Sequence, residues 1–129
     1  MKSIVSLFFA LACTFTTAAC GTDDTCAGNN TCVCTEEQDC NRTCDAGQPC
    51  SVSCNGAPSC DVDCKAASNC SVSCQTSTSC EVACPPGGCE VTCPTTGCTV
   101  TNCSSPATCR VTCGLSSAAV YSGGSATCR

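Results

Sequence analysis

The chain has 129 residues and 22 cysteines, no histidine, and ten Asp and Glu against five Lys and Arg, for a net charge of −5. A cysteine share of about one in six in so short a chain points to a disulfide scaffold made in an oxidising compartment. No basic patch is present to attract nucleic acid or anionic lipid.

The first element is an export signal. Residues 1–20 read MKSIVSLFFALACTFTTAAC, with Lys2 at the start, an apolar run from Ile4 to Phe15 and small residues before Cys20. That is the layout of a secretory signal over 1–19, too short to span a bilayer as a mature helix. All three phenylalanines (Phe8, Phe9, Phe15) fall inside it, with the only Ile, the only Met and two of the three leucines. From Cys20 onward the bulky apolar residues are Leu115, Tyr121 and nine valines. An ordinary small domain gains roughly 1.5–3 kcal/mol from each large side chain it buries. The exported chain has too few, so its order must come from crosslinks.

Residues 17–20, Thr-Ala-Ala-Cys, resemble the lipobox of bacterial lipoproteins, with Thr17 where that family usually carries an aliphatic residue. The resemblance implies that Cys20 is lipidated, with palmitate among its acyl chains, and becomes the new N-terminus. Gly21 stands where an Asp would signal inner-membrane retention, so the implied location is the outer membrane or cell surface. Residues 20–25 then read as a solvated tether. Parity agrees: once Cys13 leaves with the signal and Cys20 carries lipid, 20 cysteines remain and none is left over. The alternative is ordinary cleavage near Ala19 and free secretion.

The next element, residues 26–113, is a cysteine-rich repeat. Gaps of three and five residues alternate through Cys40, Cys44, Cys50, Cys54, Cys60, Cys64, Cys70, Cys74, Cys80 and Cys84. Four-residue gaps then separate Cys84 from Cys89 and Cys93 from Cys98. Asn102 adds one residue before Cys103, and Cys109 and Cys113 restore the rule. Such repetition points to a repeat architecture or a regular meander. The short gaps read SVS, DVD, SVS, EVA, EVT and RVT, with TVTN as the irregular copy. Cys-x-Val-x-Cys has the two-residue period of a strand, and valine is β-branched. Cys50, Val52 and Cys54 therefore share one face, and Ser51 and Ser53 face water. The extra Asn102 is expected in a bulge. Every proline, and every glycine between 44 and 113, falls in a connector such as NGAPS, PPGG or PTTG, which is turn chemistry.

Geometry restricts the pairing. Cys50 and Cys54 stand about 13 Å apart along a strand, whereas a disulfide needs Cα atoms roughly 4.4–6.8 Å apart. Pairing across each connector gives Cys26–Cys32, Cys34–Cys40, Cys44–Cys50, Cys54–Cys60, Cys64–Cys70, Cys74–Cys80, Cys84–Cys89, Cys93–Cys98, Cys103–Cys109 and Cys113–Cys128. Each seven-residue loop contributes ~2.4 kcal/mol by chain entropy. A ten-residue parallel coil is excluded, because it would hold Cys54 and Cys60 about 14 Å apart. Two all-β architectures fit. One is a flattened β-solenoid with two strands per coil and its cysteines and valines facing inward. The other is a disulfide-bridged antiparallel β-meander. The solenoid is expected, because it covers the Cys/Val face. In principle, though not in its repeat, it resembles the small disulfide-crossed solenoids of insect antifreeze proteins.

The last element, 114–129, is Gly/Ser-rich. It is expected as a flexible loop clasped by Cys113–Cys128, with Tyr121 and Val120 capping the last strand.

Candidate chemistry is sparse. Asp61 and Asp63 share an outward strand face, which suits no cleft chemistry. Asp61, Asp63 and Glu81 are the candidate calcium carboxylates, since a 20-residue coil stacks Glu81 over Asp61, but the repeat GGxGxD is absent. Metallothionein-like metal binding is disfavoured by a single close pair, Cys32-Val33-Cys34, and a single exported lysine, Lys65. Ice binding would need a regular Thr-x-Thr ladder, and only Thr99-Val100-Thr101 qualifies. Sequons at Asn29, Asn41, Asn69 and Asn102 matter only in a eukaryotic source. The expected function is a non-enzymatic, surface-anchored lipoprotein acting as a rigid structural, spacer or adhesion module. It needs no metal or cofactor and meets the membrane through its N-terminal lipid and a protein or cell-surface partner. The alternative is a freely secreted binding or toxin-like module.

Overall fold

A computed structural model describes residues 25–129 apart from 27, 29, 36 and 37. The signal over 1–19, Cys20, nearly all of the tether and Asn29 lie outside the described residues. The described residues are all strand and turn, without a helix.

The chain winds as a flattened β-solenoid, its strands alternating between two sheets. The first sheet runs in the order β1 (Thr25–Cys26), β3 (Cys40–Cys44), β5 (Ser59–Asp63), β7 (Ser79–Ala83), β9 (Cys98–Thr101), β13 (Ser125–Cys128), β12 (Val120–Ser122). The second runs β11 (Ser117–Ala118), β10 (Cys109–Cys113), β8 (Cys89–Cys93), β6 (Asn69–Ser73), β4 (Pro49–Ser53), β2 (Thr31–Val33). Neighbours from β1 to β9 and from β2 to β10 are parallel. That parallel pairing rules out the meander. Where the connectors are full length the register advances by twenty residues, so Cys50 pairs with Cys70 and Val62 with Val82. The four-residue connectors shorten it, and Val72 pairs with Val91.

The period-two pattern decides what is inside. Val52, Val72, Val91 and Val111 form a buried column on one sheet, facing Val62, Val82, Val100 and Ala126 on the other. Cysteines flank both columns at the two edges where the chain crosses between sheets. Three connectors turn tightly on a small residue. Ala57, Ala67 and Ser77 sit three residues after a cysteine, are buried, and donate their N–H to that cysteine's carbonyl at 3.0 Å. The Ser77 hydroxyl also donates to the Cys54 carbonyl of the preceding coil at 3.0 Å. The shortened connectors need glycine: Gly88 has φ +101°, and a Cβ there would stand 2.6 Å from the Thr108 carbonyl oxygen of the next coil.

Several elements differ from the sequence reading. Pro49 is the first residue of β4 rather than a connector residue, a position where a strand tolerates proline. Asn102 forms no bulge within β9. It follows the strand at φ 56°, donates its side-chain amide to the Cys84 carbonyl at 3.2 Å and so lets buried Cys103 return to the interior. In Cys32-Val33-Cys34 the period places both cysteines inward and leaves Val33 65% exposed. Cys32 pairs in register with Val52, taking a valine's place.

The tail is the largest correction. In place of a flexible loop it forms β11, β12 and β13, and β13 extends the first sheet antiparallel to β9, with Ala126 opposite Val100. Glycines at positive φ (Gly114, Gly123, Gly124) sit beside these strands, so they serve turns rather than a linker. Tyr121 closes the end of the solenoid. Its hydroxyl donates to the Cys109 carbonyl at 3.1 Å and accepts the Val111 N–H at 3.4 Å, satisfying part of the free edge of β10. Val120 does not share this role and stays half exposed. Near the opposite end, half-buried Arg42 of β3 pairs in register with Val62, at the position that valine holds in the later coils. The short terminal strands β1, β2, β11 and β12 discourage end-to-end pairing.

Candidate functional site

Three features are assembled by the coil: two edges of stacked sulfur, an acidic patch and a polar groove.

The structure joins its cysteines in ten disulfides, each across a connector, with Cα–Cα distances of 5.5–6.3 Å. They include Cys113–Cys128, which ties β10 to β13. All ten cross from one sheet to the other, and successive bridges stack along each edge. Along one edge the Sγ atoms of Cys44 and Cys64 are 3.3 Å apart. Along the other, those of Cys40 and Cys54 are 3.1 Å apart. Four buried sulfurs from Cys44, Cys50, Cys64 and Cys70 lie within 4.8 Å of one another, as do those of Cys74, Cys80, Cys93 and Cys98. Sequence reasoning found the pairs but not these tetrads, whose members come together only when one coil stacks on the next. The available signal was the twenty-residue period itself.

The acidic patch lies on the outer face of the first sheet. Asp61 pairs in register with Glu81, as a twenty-residue coil requires, and both are exposed. Asp63 turns instead to Lys65. It accepts the Lys65 backbone N–H at 3.0 Å and meets the ammonium at 3.1 Å. The backbone hydrogen bond, aided by that ammonium and opposed by slight desolvation, holds the Asp63 carboxyl below its ordinary value. The three carboxylates are therefore not brought together. Among the described residues, every group of three or more clustered metal-ligating atoms consists of cysteine sulfur.

The second sheet presents ranks of polar and charged side chains on its outer face: Ser51, Ser71, Glu90 and Arg110 along one line, Ser53, Ser73, Thr92 and Thr112 along the next. A groove of about 500 Å³ beside the first line is lined by Ser71, Gly88, Glu90, Thr108 and Arg110. It is continued by a second of about 260 Å³ past Thr31, Pro49 and Ser51. Neither groove holds an aromatic side chain. Of the sequons, Asn41 and Asn69 are exposed on strands, while the Asn102 amide is engaged with Cys84. The Thr99 and Thr101 positions lie between Glu81 and Ala83 of β7 on one side and Thr127 and Ser125 of β13 on the other, so the Thr-x-Thr pair is not repeated on either neighbouring strand.

No family model matches the chain, and neither a curated protein nor a solved structure does.

Proposed function

We propose that the chain is an exported, non-enzymatic surface module: a short rigid block of stapled strands, tethered by a lipid on Cys20, that presents its flat polar faces to a protein or cell-surface partner. The observation that supports it best is the completeness of the bridging. The ten disulfides account for every cysteine from Cys26 onward, so a lipid on Cys20 would cost the fold no bridge. The dimensions favour display over spacing. Seven strands in the larger sheet, about 4.8 Å apart, give a block only ~29 Å long, and a six-residue tether adds at most ~20 Å. That reach holds a face just clear of a membrane and spans no thick layer. The faces themselves carry hydroxyls and a few charges, the chemistry of weak contacts repeated at strand spacing.

Fractionation tests the proposal. The protein is expected in the membrane fraction, with an N-terminal peptide starting at Cys20 and carrying acyl mass, and Cys20→Ser is expected to release it to the medium. Wild-type protein recovered from the medium with an unmodified N-terminus overturns the anchor and favours a secreted binding module.

A further inference from the structure

The sulfur tetrads have a second chemical solution. We infer that, when its bridges are reduced, the chain binds one soft divalent ion in each tetrad, Cys44/Cys50/Cys64/Cys70 and Cys74/Cys80/Cys93/Cys98, as closed four-thiolate sites.

The geometry carries this. Zinc binds thiolate at ~2.3 Å in a tetrahedron, which sets sulfurs about 3.8 Å apart. The sulfurs of each tetrad already lie within 4.8 Å of one another and all are buried. The bridged pairs have Cα–Cα distances of 5.8 and 6.1 Å in the first tetrad and 6.3 and 5.9 Å in the second. Opening each pair to the wider spacing therefore calls for side-chain rotation, while the strands stay in place. With four sulfur donors and no oxygen donor in either cluster, the sites select zinc or cadmium over calcium or magnesium. The usual sequence signature of such a site, close Cys-x-x-Cys pairs, is absent because the two halves come from successive coils, twenty residues apart in the first tetrad and nineteen or eighteen in the second.

The balance is simple. For each tetrad, two molecules of a dithiol reductant give four electrons and four protons to two disulfides and leave as two disulfides of their own. The ion then displaces the four thiol protons to solvent. The result differs from the oxidised form in one respect that matters for the fold. A disulfide joins one sheet to the other, whereas a metal tetrad also joins one coil to the next.

The test uses the whole exported chain, reduced without oxygen, with cadmium added. The metal-free reduced chain is expected to lose its strand circular dichroism. Cadmium is expected to restore it, with two ions per chain by native mass spectrometry and thiolate-to-cadmium absorption in the ultraviolet. Protection from alkylation should be confined to the eight tetrad cysteines. The double variant Cys44→Ser, Cys64→Ser is expected to bind one ion, and Cys26→Ser, Cys32→Ser, outside every cluster, still two. Protection spread evenly over all twenty cysteines, binding without recovery of strand signal, or no binding overturns the inference. None of these readouts involves lipid or membrane, so their failure leaves the proposed surface role standing.

Discussion

Replacing Gly88 by alanine separates the stacked coil from any arrangement in which the connectors project freely. Two costs combine there. Gly88 has φ +101°, a conformation that costs an L residue about 1–3 kcal/mol. The new Cβ would also meet the Thr108 carbonyl oxygen at 2.6 Å, roughly 0.8 Å inside ordinary contact. That oxygen cannot yield easily. The Thr108 N–H donates to the Ser105 carbonyl at 3.1 Å, and Cys109, the next residue, is bridged to Cys103. Relief requires two coils to part at that edge, an overpacking cost of about 1–3 kcal/mol. Gly47 is the control: it has φ +71°, and a methyl group added there would find nothing within 4 Å, so Gly47→Ala carries only the conformational cost, about 1–2 kcal/mol. Guanidinium unfolding of the oxidised proteins, with bridges intact, should show Gly88→Ala destabilised beyond Gly47→Ala by about 1–3 kcal/mol. Equal midpoints and slopes for the two variants would refute the stacking of Gly88 against Thr108, and with it the coil register in that region.

Three further outcomes follow from the same structure. Val72→Ala, at a site 2% exposed, should cost about 2–3 kcal/mol, while Val33→Ala, at a site 65% exposed, should fall within about 0.5 kcal/mol of wild type by the same denaturation. Tyr121→Phe removes the hydroxyl that serves Val111 and Cys109. It should cost about 1–2 kcal/mol and speed amide exchange at Val111, while exchange at Val52, far along the coil, should stay unchanged. Asp63 has a depressed carboxyl pKa, so its stabilising contribution is present above the ordinary value near 3.8 and is lost as pH falls through the lower folded-state value. The pair is solvent-exposed and its effect small. Asp63→Asn should flatten only the acid limb of the stability–pH curve.

How far the sequence reached is clearest at individual residues. The connector pairing was legible because one distance, four strand steps, forbids Cys50 from reaching Cys54. The placing of Glu81 beside Asp61 followed from counting twenty residues. The role of Arg42 was hidden, since Asn-Arg-Thr in place of the valine triplet is meaningful only once β3 is known to lie near an end of the stack. The tail was misread for a similar reason. Glycine and serine are abundant both in linkers and in tight antiparallel turns, and only pairing with β9 tells them apart. Its one local clue was Ser-Ala-Thr-Cys, which alternates as a strand does and is buried at Ala126 and Cys128. Ala57, Ala67 and Ser77 each follow a cysteine by three positions, yet the reason for a small residue there is the inner corner of a turn, a feature of three dimensions.

The bridges themselves leave one thing undone. Each disulfide joins the first sheet to the second, and nine of the ten close loops of five or six residues' separation. None joins neighbouring strands within a sheet. A chain with every bridge intact could therefore unspool coil from coil without breaking a covalent bond. What holds the coils in register is noncovalent: parallel backbone hydrogen bonds, the two buried valine columns, and edge contacts such as the Ser77 hydroxyl on the Cys54 carbonyl. The local staples lower the entropy of the unfolded chain and bring each strand to its place already half organised, so that a narrow column of valines suffices where an ordinary domain needs a broad core. Stability of the oxidised protein should then follow nearest-neighbour coil contacts, as in other repeat folds, with Tyr121 covering part of the edge of β10 at the C-terminal end of the stack.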